Sequence, residues 1–286
     1  MASRTATPPS QSLVCNVAAD TLQFTQHAMI PAQSPVTKRT ALQIVSRVYD
    51  PLGLLSPVTI SAKIFLQDLW KQKIGWDDWL PDDLQQRWTL IPEDIHTVLQ
   101  SPWPRQALPY PECGAASYSL HVFVDASPRA YGAASYLCNQ SSTSLLFSKS
   151  RIAPTKERTT PELELMAAVI GARLARYLAS SLPSVQVFFW SDSHIVLWWL
   201  STVKLTAKLF VKNRVKEVLA LSTRSQWSYC PTSCNPADLL TRGVSSSTFE
   251  SSTLWRHGPS WVATPHEWPP QPDFTTPSAT ACHLAE

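Results

Sequence analysis

Apolar positions along this chain follow a strand-like pattern from Ser119 onward and a helix-like one before it. The segment "SLHVFVDAS" is rich in β-branched and aromatic residues and predicts a strand ending at Asp125. "YGAASYLC" and "TSLLFSKSRI" follow at hairpin spacing, which predicts a three-stranded antiparallel meander. "TTPELELMAAVIGARLARYLAS" predicts a helix, with Thr160 as N-cap and Pro161 at the first helical position. Leu163, Met166, Ile170 and Leu174 form its apolar stripe. Glu164 lies beside that stripe and shares a side with Ala167, Ala168 and Gly171, small residues that let a helix approach a sheet. "VQVFFWSD" predicts a fourth strand ending at Asp192, and "QWSYCP" a fifth. Between them "SHIVLWWLS" and "TAKLFVKNRVKEVLAL" read as helices. "NPADLLTRG" closes the series as a helix with Asn235 as N-cap and Gly243 as its stop.

Upstream, "KRTALQIVSRVY" predicts a helix that ends at the Asp50-Pro51 turn, and "SPVTISAKIFLQDLWKQK" a second with Ser56 as N-cap. "PDDLQQRWTLIPEDIHTVLQ" predicts a third that Pro92 breaks or restarts. The chain therefore divides into a partly disordered segment (1–37), a helical connection domain (38–100) and a Pro-rich linker (101–118). A sheet domain (119–245) and a Trp/Pro-rich tail (246–286) with little regular structure follow. The fold class is α/β: a mixed five-stranded sheet with flanking helices, preceded by a small, mainly helical domain.

Composition narrows the setting. At 286 residues and 44% hydrophobic, the chain can bury a sizeable core. The net charge is only +3, so a nucleic-acid surface must come from local clusters. Two are candidates: Lys149, Arg151, Lys156 and Arg158 around the Glu164 helix, then Lys204, Lys208, Lys212 and Arg214. No apolar run reaches the roughly 18 residues of a membrane span, and the N-terminus has no uninterrupted apolar core. The six scattered cysteines fit reduced thiols. An intracellular, cytoplasmic protein without a membrane partner is expected.

Four acids occupy matching positions. Asp125 and Asp192 end the first and fourth strands, while Glu164 and Asp238 open two helices. If those strands are neighbours, the four carboxylates converge at one sheet edge, where they cannot all stay ionised without cations. Mg²⁺ suits such a site, since it takes a few carboxylates together with substrate phosphate oxygens. A carboxylate amid the apolar run "VFFWSDSHIVLWWL" is then accounted for.

"VFVDAS", "ELELMAA", "FWSDSHIV" and "NPADLLTRG" resemble the four motifs of ribonuclease H, as carried by BEL/Pao long-terminal-repeat retrotransposon polyproteins. "TKRTALQIVSRVYDPLGLLSPVTISAKIFLQDLWKQKIGWDD" resembles the segment these polyproteins place between the polymerase palm and ribonuclease H, and "LWRHGPSWV" the one before integrase. The resemblance implies a ribonuclease H-like sheet and cleavage of the RNA strand of RNA–DNA hybrids. It implies a catalytic, metal-binding set of Asp125, Glu164, Asp192 and Asp238, with two Mg²⁺ ions about 4 Å apart that Mn²⁺ can replace. It also implies reverse-transcriptase portions of a longer polyprotein as partners. Glu164 rather than Glu162 fits, because it directly precedes "LMAA".

The chain departs from that pattern at Tyr229, where relatives often carry a His that assists product release. It holds no Tyr-x-Asp-Asp polymerase motif and no Asp-Thr-Gly or Asp-Ser-Gly protease motif. Cys230, Cys234, His257 and His266 match no standard zinc spacing. Two readings follow: a metal-dependent endoribonuclease, or a non-catalytic retroelement fragment acting as a nucleic-acid-binding or interaction module.

Overall fold

The computed structural model describes residues 13–24, 36–108, 118–139, 142–182, 184–202 and 207–274. The chain begins with β1 (Leu13–Asn16) and β2 (Thr21–Phe24), then α1 (Lys38–Ser46), α2 (Ser56–Lys71) and α3 (Asp82–Leu99). β3 (Trp103–Pro104) pairs with β2, closing a small antiparallel sheet in the order β1-β2-β3. The pairing draws the linker's start onto the fold and buries Trp103. Parts of the expected terminal segment, linker and tail, residues 1–12, 25–35, 109–117 and 275–286, lie outside the described residues.

The main domain runs β4 (Ser119–Ala126), β5 (Ala130–Cys138), β6 (Thr143–Ile152), α4 (Thr160–Ala179), β7 (Gln186–Ser191), α5 (His194–Ser201), α6 (Leu209–Leu221), β8 (Trp227–Tyr229) and α7 (Leu239–Arg242). Its five-stranded sheet has the order β6-β5-β4-β7-β8. The meander is antiparallel, while β7 lies parallel to β4 and β8 parallel to β7, so the sheet is mixed as expected. The β4–β7 ladder ends with Val124 opposite Ser191.

Strand alternation divides the core between the two faces. Leu120, Val122 and Val124 face α4, α5 and α6, among Ala167, Ala168, Val196 and Val215. Gly171 is the close-approach point: a Cβ there would stand 2.6 Å from Val124 Cγ1, so only glycine seats α4 at this depth. Phe123, Tyr136 and Trp190 face the other way, into a core that also holds Leu55, Val58, Ile95, Trp255 and Trp261. The helical segment thus shares one core with the sheet, besides its own cluster around Phe65, Leu69, Leu84 and Trp88. Gly53, at φ +73°, lets the turn before α2 lie against β6, where Ser148 Oγ donates to its carbonyl at 2.5 Å.

Several local expectations shift. Thr159, not Thr160, caps α4; its Oγ1 accepts from Glu162 N while Glu162 Oε2 accepts from Thr159 N. α2 begins one residue earlier than a Ser56 cap requires, with Leu55 as N-cap and no side-chain bond. α3 runs through Pro92, because Trp88 and Ile95, on either side of it, are both fully buried and hold the two halves in line. The tail is more ordered than its composition suggests: α8 (Ser246–Ser251) and α9 (Thr253–His257) precede two short 3-10 turns. Trp255, fully buried, donates through Nε1 to Leu54 O at 2.9 Å and ties the tail to α2's N-terminus. Among the described residues no helix is long and apolar enough to cross a membrane.

Candidate active site

Asp125, Glu164 and Asp192 line one open cavity of about 680 Å³, together with Thr160, Thr241 and Arg242. Each carboxylate arrives from a different element. The parallel register places Asp125 and Asp192 one residue beyond the Val124–Ser191 pair, at the same edge of the sheet. Glu164 comes from the first turns of α4, the helix that Gly171 lets sink onto β4.

Each carboxylate has its own protein donor. Thr241 Oγ1 stands 2.6 Å from Asp125 Oδ2 and donates to it. Ser193, the N-cap of α5, donates to Glu164 Oε2 at 2.5 Å while accepting from Val196 N. Asn235 Nδ2 donates to Val124 O at 3.0 Å and reaches Asp192 Oδ1 at 3.4 Å, while its Oδ1 accepts from Ala237 N. One buried amide therefore joins the ends of β4 and β7 to the start of the turn that leads into α7.

Electrostatics set Asp125 apart. Burial pushes its carboxyl up to about 7, and the negative charges of Asp192, Asp238 and Glu164 add to the rise against the Thr241 hydrogen bond. Burial also raises Glu164, opposed by Ser193 and reinforced by Asp192. A divalent cation among groups raised in this way would favour their charged forms and reverse the effect. The donor chemistry, carboxylate oxygens around an open cavity, fits a hard divalent ion. Their spacing is looser than a closed ligand set: among the described residues, no three His, Cys, Asp or Glu side chains form a group that could hold a metal ion.

Asp238 stands apart from the other three. It contributes to the field at Asp125, yet its Oδ1 is paired with Arg242 Nε at 2.7 Å, and it is not part of the cavity wall. Glu162 is engaged in the α4 capping box and lies 3.6 Å from Arg158.

The basic candidates divide. Arg158 and Arg214 both lie over the Phe210 ring, at 4.1 and 5.7 Å, and pair with Glu162 and Glu217. The two clusters therefore meet at one aromatic side chain. Lys149 and Arg151 are exposed on the same side of edge strand β6, and Lys156, Lys208 and Lys212 are exposed. Lys204 lies outside the described residues. Tyr229, in the place of the expected His, sits 4.7 Å from the exposed His194 ring.

Sequence reasoning did not assign Ser193 or Thr241 to the site and gave Asn235 only a capping role. Each sits in a quoted motif, with Ser193 directly after Asp192 and Asn235 and Thr241 three residues before and after Asp238, so adjacency to a candidate acid is the available signal. Arg87 and Arg129, which also line the cavity, were missed altogether.

The mixed sheet, its strand order and the helix packed across β4 define a ribonuclease H-like α/β fold. The chain belongs to the family described as the Pao retrotransposon-like RNaseH-like domain, whose model matches residues 37–193, more than half of its length. Asp125, Glu164 and Asp192 fall inside that stretch and Asp238 beyond it. Among solved structures, the chain is similar to an RNase H1 from the archaeon Halobacterium salinarum NRC-1, at 17% identity and TM-score 0.34, covering 43% of this chain and 93% of that one. It is also similar to the N-terminal RNase H domain of a Mycobacterium tuberculosis protein, at 17% identity and TM-score 0.33, covering 44% and 91%. A foamy viral protease–reverse transcriptase in complex with double-stranded DNA matches at 14% identity and TM-score 0.46, covering 77% of this chain and 38% of that one. No curated protein matches.

Proposed function

We propose that the chain is a metal-dependent endoribonuclease that cuts the RNA strand of RNA–DNA hybrids within a retrotransposon polyprotein. The observation that carries this reading is the meeting of Asp125, Glu164 and Asp192, from three separate elements, around one open cavity. Membership of a retrotransposon family with an RNaseH-like domain supports it.

In this reading Asp125, Glu164 and Asp192 would hold Mg²⁺, as two ions that Mn²⁺ can replace, and Asp238 would join them by exchanging its Arg242 partner. Bound there, such ions would supply charge neutralisation at the scissile phosphate and would activate a water. Thr241, Ser193 and Asn235 orient the carboxylates so that little side-chain freedom is lost when the site fills. The exposed lysines and Arg151 on the flanking surfaces would meet backbone phosphates of the hybrid.

The alternative, a non-catalytic nucleic-acid-binding fragment, draws on the Asp238–Arg242 ion pair and the loose carboxylate spacing. A gel assay of purified protein on a labelled RNA–DNA hybrid with Mg²⁺, Mn²⁺ or EDTA separates the two. Metal-dependent shortening of the RNA strand supports the nuclease, and an intact RNA strand under all three conditions supports the fragment.

A further inference from the structure

The cavity that holds the carboxylates also has walls of opposite sign. Arg87 of α3 and Arg129, from the turn between β4 and β5, both line it, as does Ile64 of α2. One turn along α2 from Ile64 lies Asp68, and both arginines converge on it. Arg129 Nη2 donates to Oδ1 and Oδ2, each at 2.7 Å, and Arg87 Nη2 donates to Oδ2 at 3.0 Å. The Arg87 guanidinium also lies 5.4 Å over the Phe65 ring. Burial opposes ionisation of Asp68, but the hydrogen bonds from Arg87 and Arg129 outweigh it and hold the carboxyl below its ordinary range.

The triad has an asymmetric exposure. The Asp68 side chain is 16% exposed, whereas those of Arg87 and Arg129 are 51% and 45% exposed. The carboxylate is thus an inner brace, and the two cations face the cavity. A guanidinium carries five N–H donors, of which Asp68 engages only the Nη2 end of each. Two cations on one anion leave a net positive charge in the wall of the same cavity as three carboxylates, whose negative charge repels a polyanion. Paired, oriented guanidiniums match a phosphate well.

We propose that Arg87 and Arg129, braced by Asp68, form a clamp that seats a backbone phosphate of the nucleic-acid strand next to the one to be cut. The helical segment ahead of the sheet domain is then part of the substrate groove, since it supplies both Arg87 and Asp68. The assignment of the neighbouring phosphate rests on the nuclease reading above; the phosphate clamp itself does not.

The test is binding of the full chain to a fluorescently labelled RNA–DNA hybrid in EDTA, followed by anisotropy over a range of salt. Arg87→Gln and Arg129→Gln should each weaken binding several-fold at low salt. Each should also flatten the slope of log affinity against log salt by about one. Arg87→Lys should keep the wild-type slope with a smaller loss. Asp68→Asn is the discriminating variant. It adds a positive charge, so bulk attraction alone would tighten binding, whereas loss of the brace loosens it. Melting curves of each variant confirm that the folded chain is compared. Wild-type affinity and slope in both Gln variants, or tighter binding by Asp68→Asn, overturns the clamp. Parallel cleavage assays separate the two claims. A wild type that cuts, with Gln variants that bind and cut unchanged, overturns the clamp alone. Weakened binding in the variants of a chain that never cuts upholds the clamp and removes the nuclease reading.

Discussion

Asp125 and Asp192 stand level at the ends of two parallel strands, each the residue after the last ladder pair, Val124 opposite Ser191. That register alone brings two carboxylates to one edge, and Asn235 ties the two strand ends together by bonding Val124 O and Asp192 Oδ1. Both strands are apolar beneath those ends, with Val124 and Phe189 almost fully buried. Burial of the strands and clustering of the charges together lift the Asp125 carboxyl to about 7.

The two glutamates of α4 should behave differently. Glu164→Gln should reduce cleavage at least a hundredfold, because Glu164 lines the cavity beside Asp192. Glu162→Gln should keep most activity and lower stability by only about 0.3–0.5 kcal/mol, since Gln can still complete the Thr159 capping box and only the negative charge near the helix N-terminus and Arg158 is lost. Cleavage rates and urea midpoints of both variants check this; equal losses of activity would place both residues in the site.

His121 predicts a defined acid sensitivity. Its ring is 1% exposed, stacked 5.0 Å from Phe188, and burial pushes its pKa down to about 3. Below its ordinary value of 6.5, the unfolded chain takes up a proton that the folded chain refuses until near 3. Stability is therefore lost as pH falls from 6.5 towards 3, at up to about 1.4 kcal/mol per pH unit from this group. Gln at this position keeps an acceptor for Trp190 Nε1, which bonds His121 Nδ1 at 3.1 Å. Urea titrations between pH 6.5 and 4 should show a shallower loss for His121→Gln than for wild type, and parallel curves would refute the assignment.

The boundary between the helical segment and the sheet domain is a proposal that limited proteolysis can test. The expected cut lies in 101–118, where Pro residues cluster. The two sides share a core in which Leu55, Val58 and Ile95 meet Phe123, Tyr136 and Trp255. Cleavage there should leave two fragments that co-elute on gel filtration and separate only in denaturant. Free fragments without denaturant would mean that the shared core contributes little.

What the sequence makes legible depends on distance along the chain. The strands ending at Asp125 and Asp192, and the small-residue side of α4 at Ala167, Ala168 and Gly171, are readable because their signals are local and periodic. Thr159 and Thr160 are adjacent and both able to cap, so the choice between them falls to tertiary position. Pro92 signals a break locally, but buried Trp88 and Ile95 override it. The tail has no period to read, and its order comes from Trp255 and Trp261 packing into a distant core. Asp68, Arg87 and Arg129 look like ordinary solvated charges in the sequence; their contacts span 19 and 61 residues, beyond any local pattern.

If Asp125, Glu164 and Asp192 hold the metal that cuts a hybrid, both the metal and each carboxylate are indispensable. The most direct measurement is single-turnover cleavage of a labelled RNA–DNA hybrid by wild type and Asp192→Asn, each with Mg²⁺, Mn²⁺ and EDTA. Wild type should cut the RNA strand with either metal and not in EDTA, and a folded Asp192→Asn should lose at least a hundredfold. An intact RNA strand with wild type in Mn²⁺, or equal cutting by Asp192→Asn, would contradict that assignment.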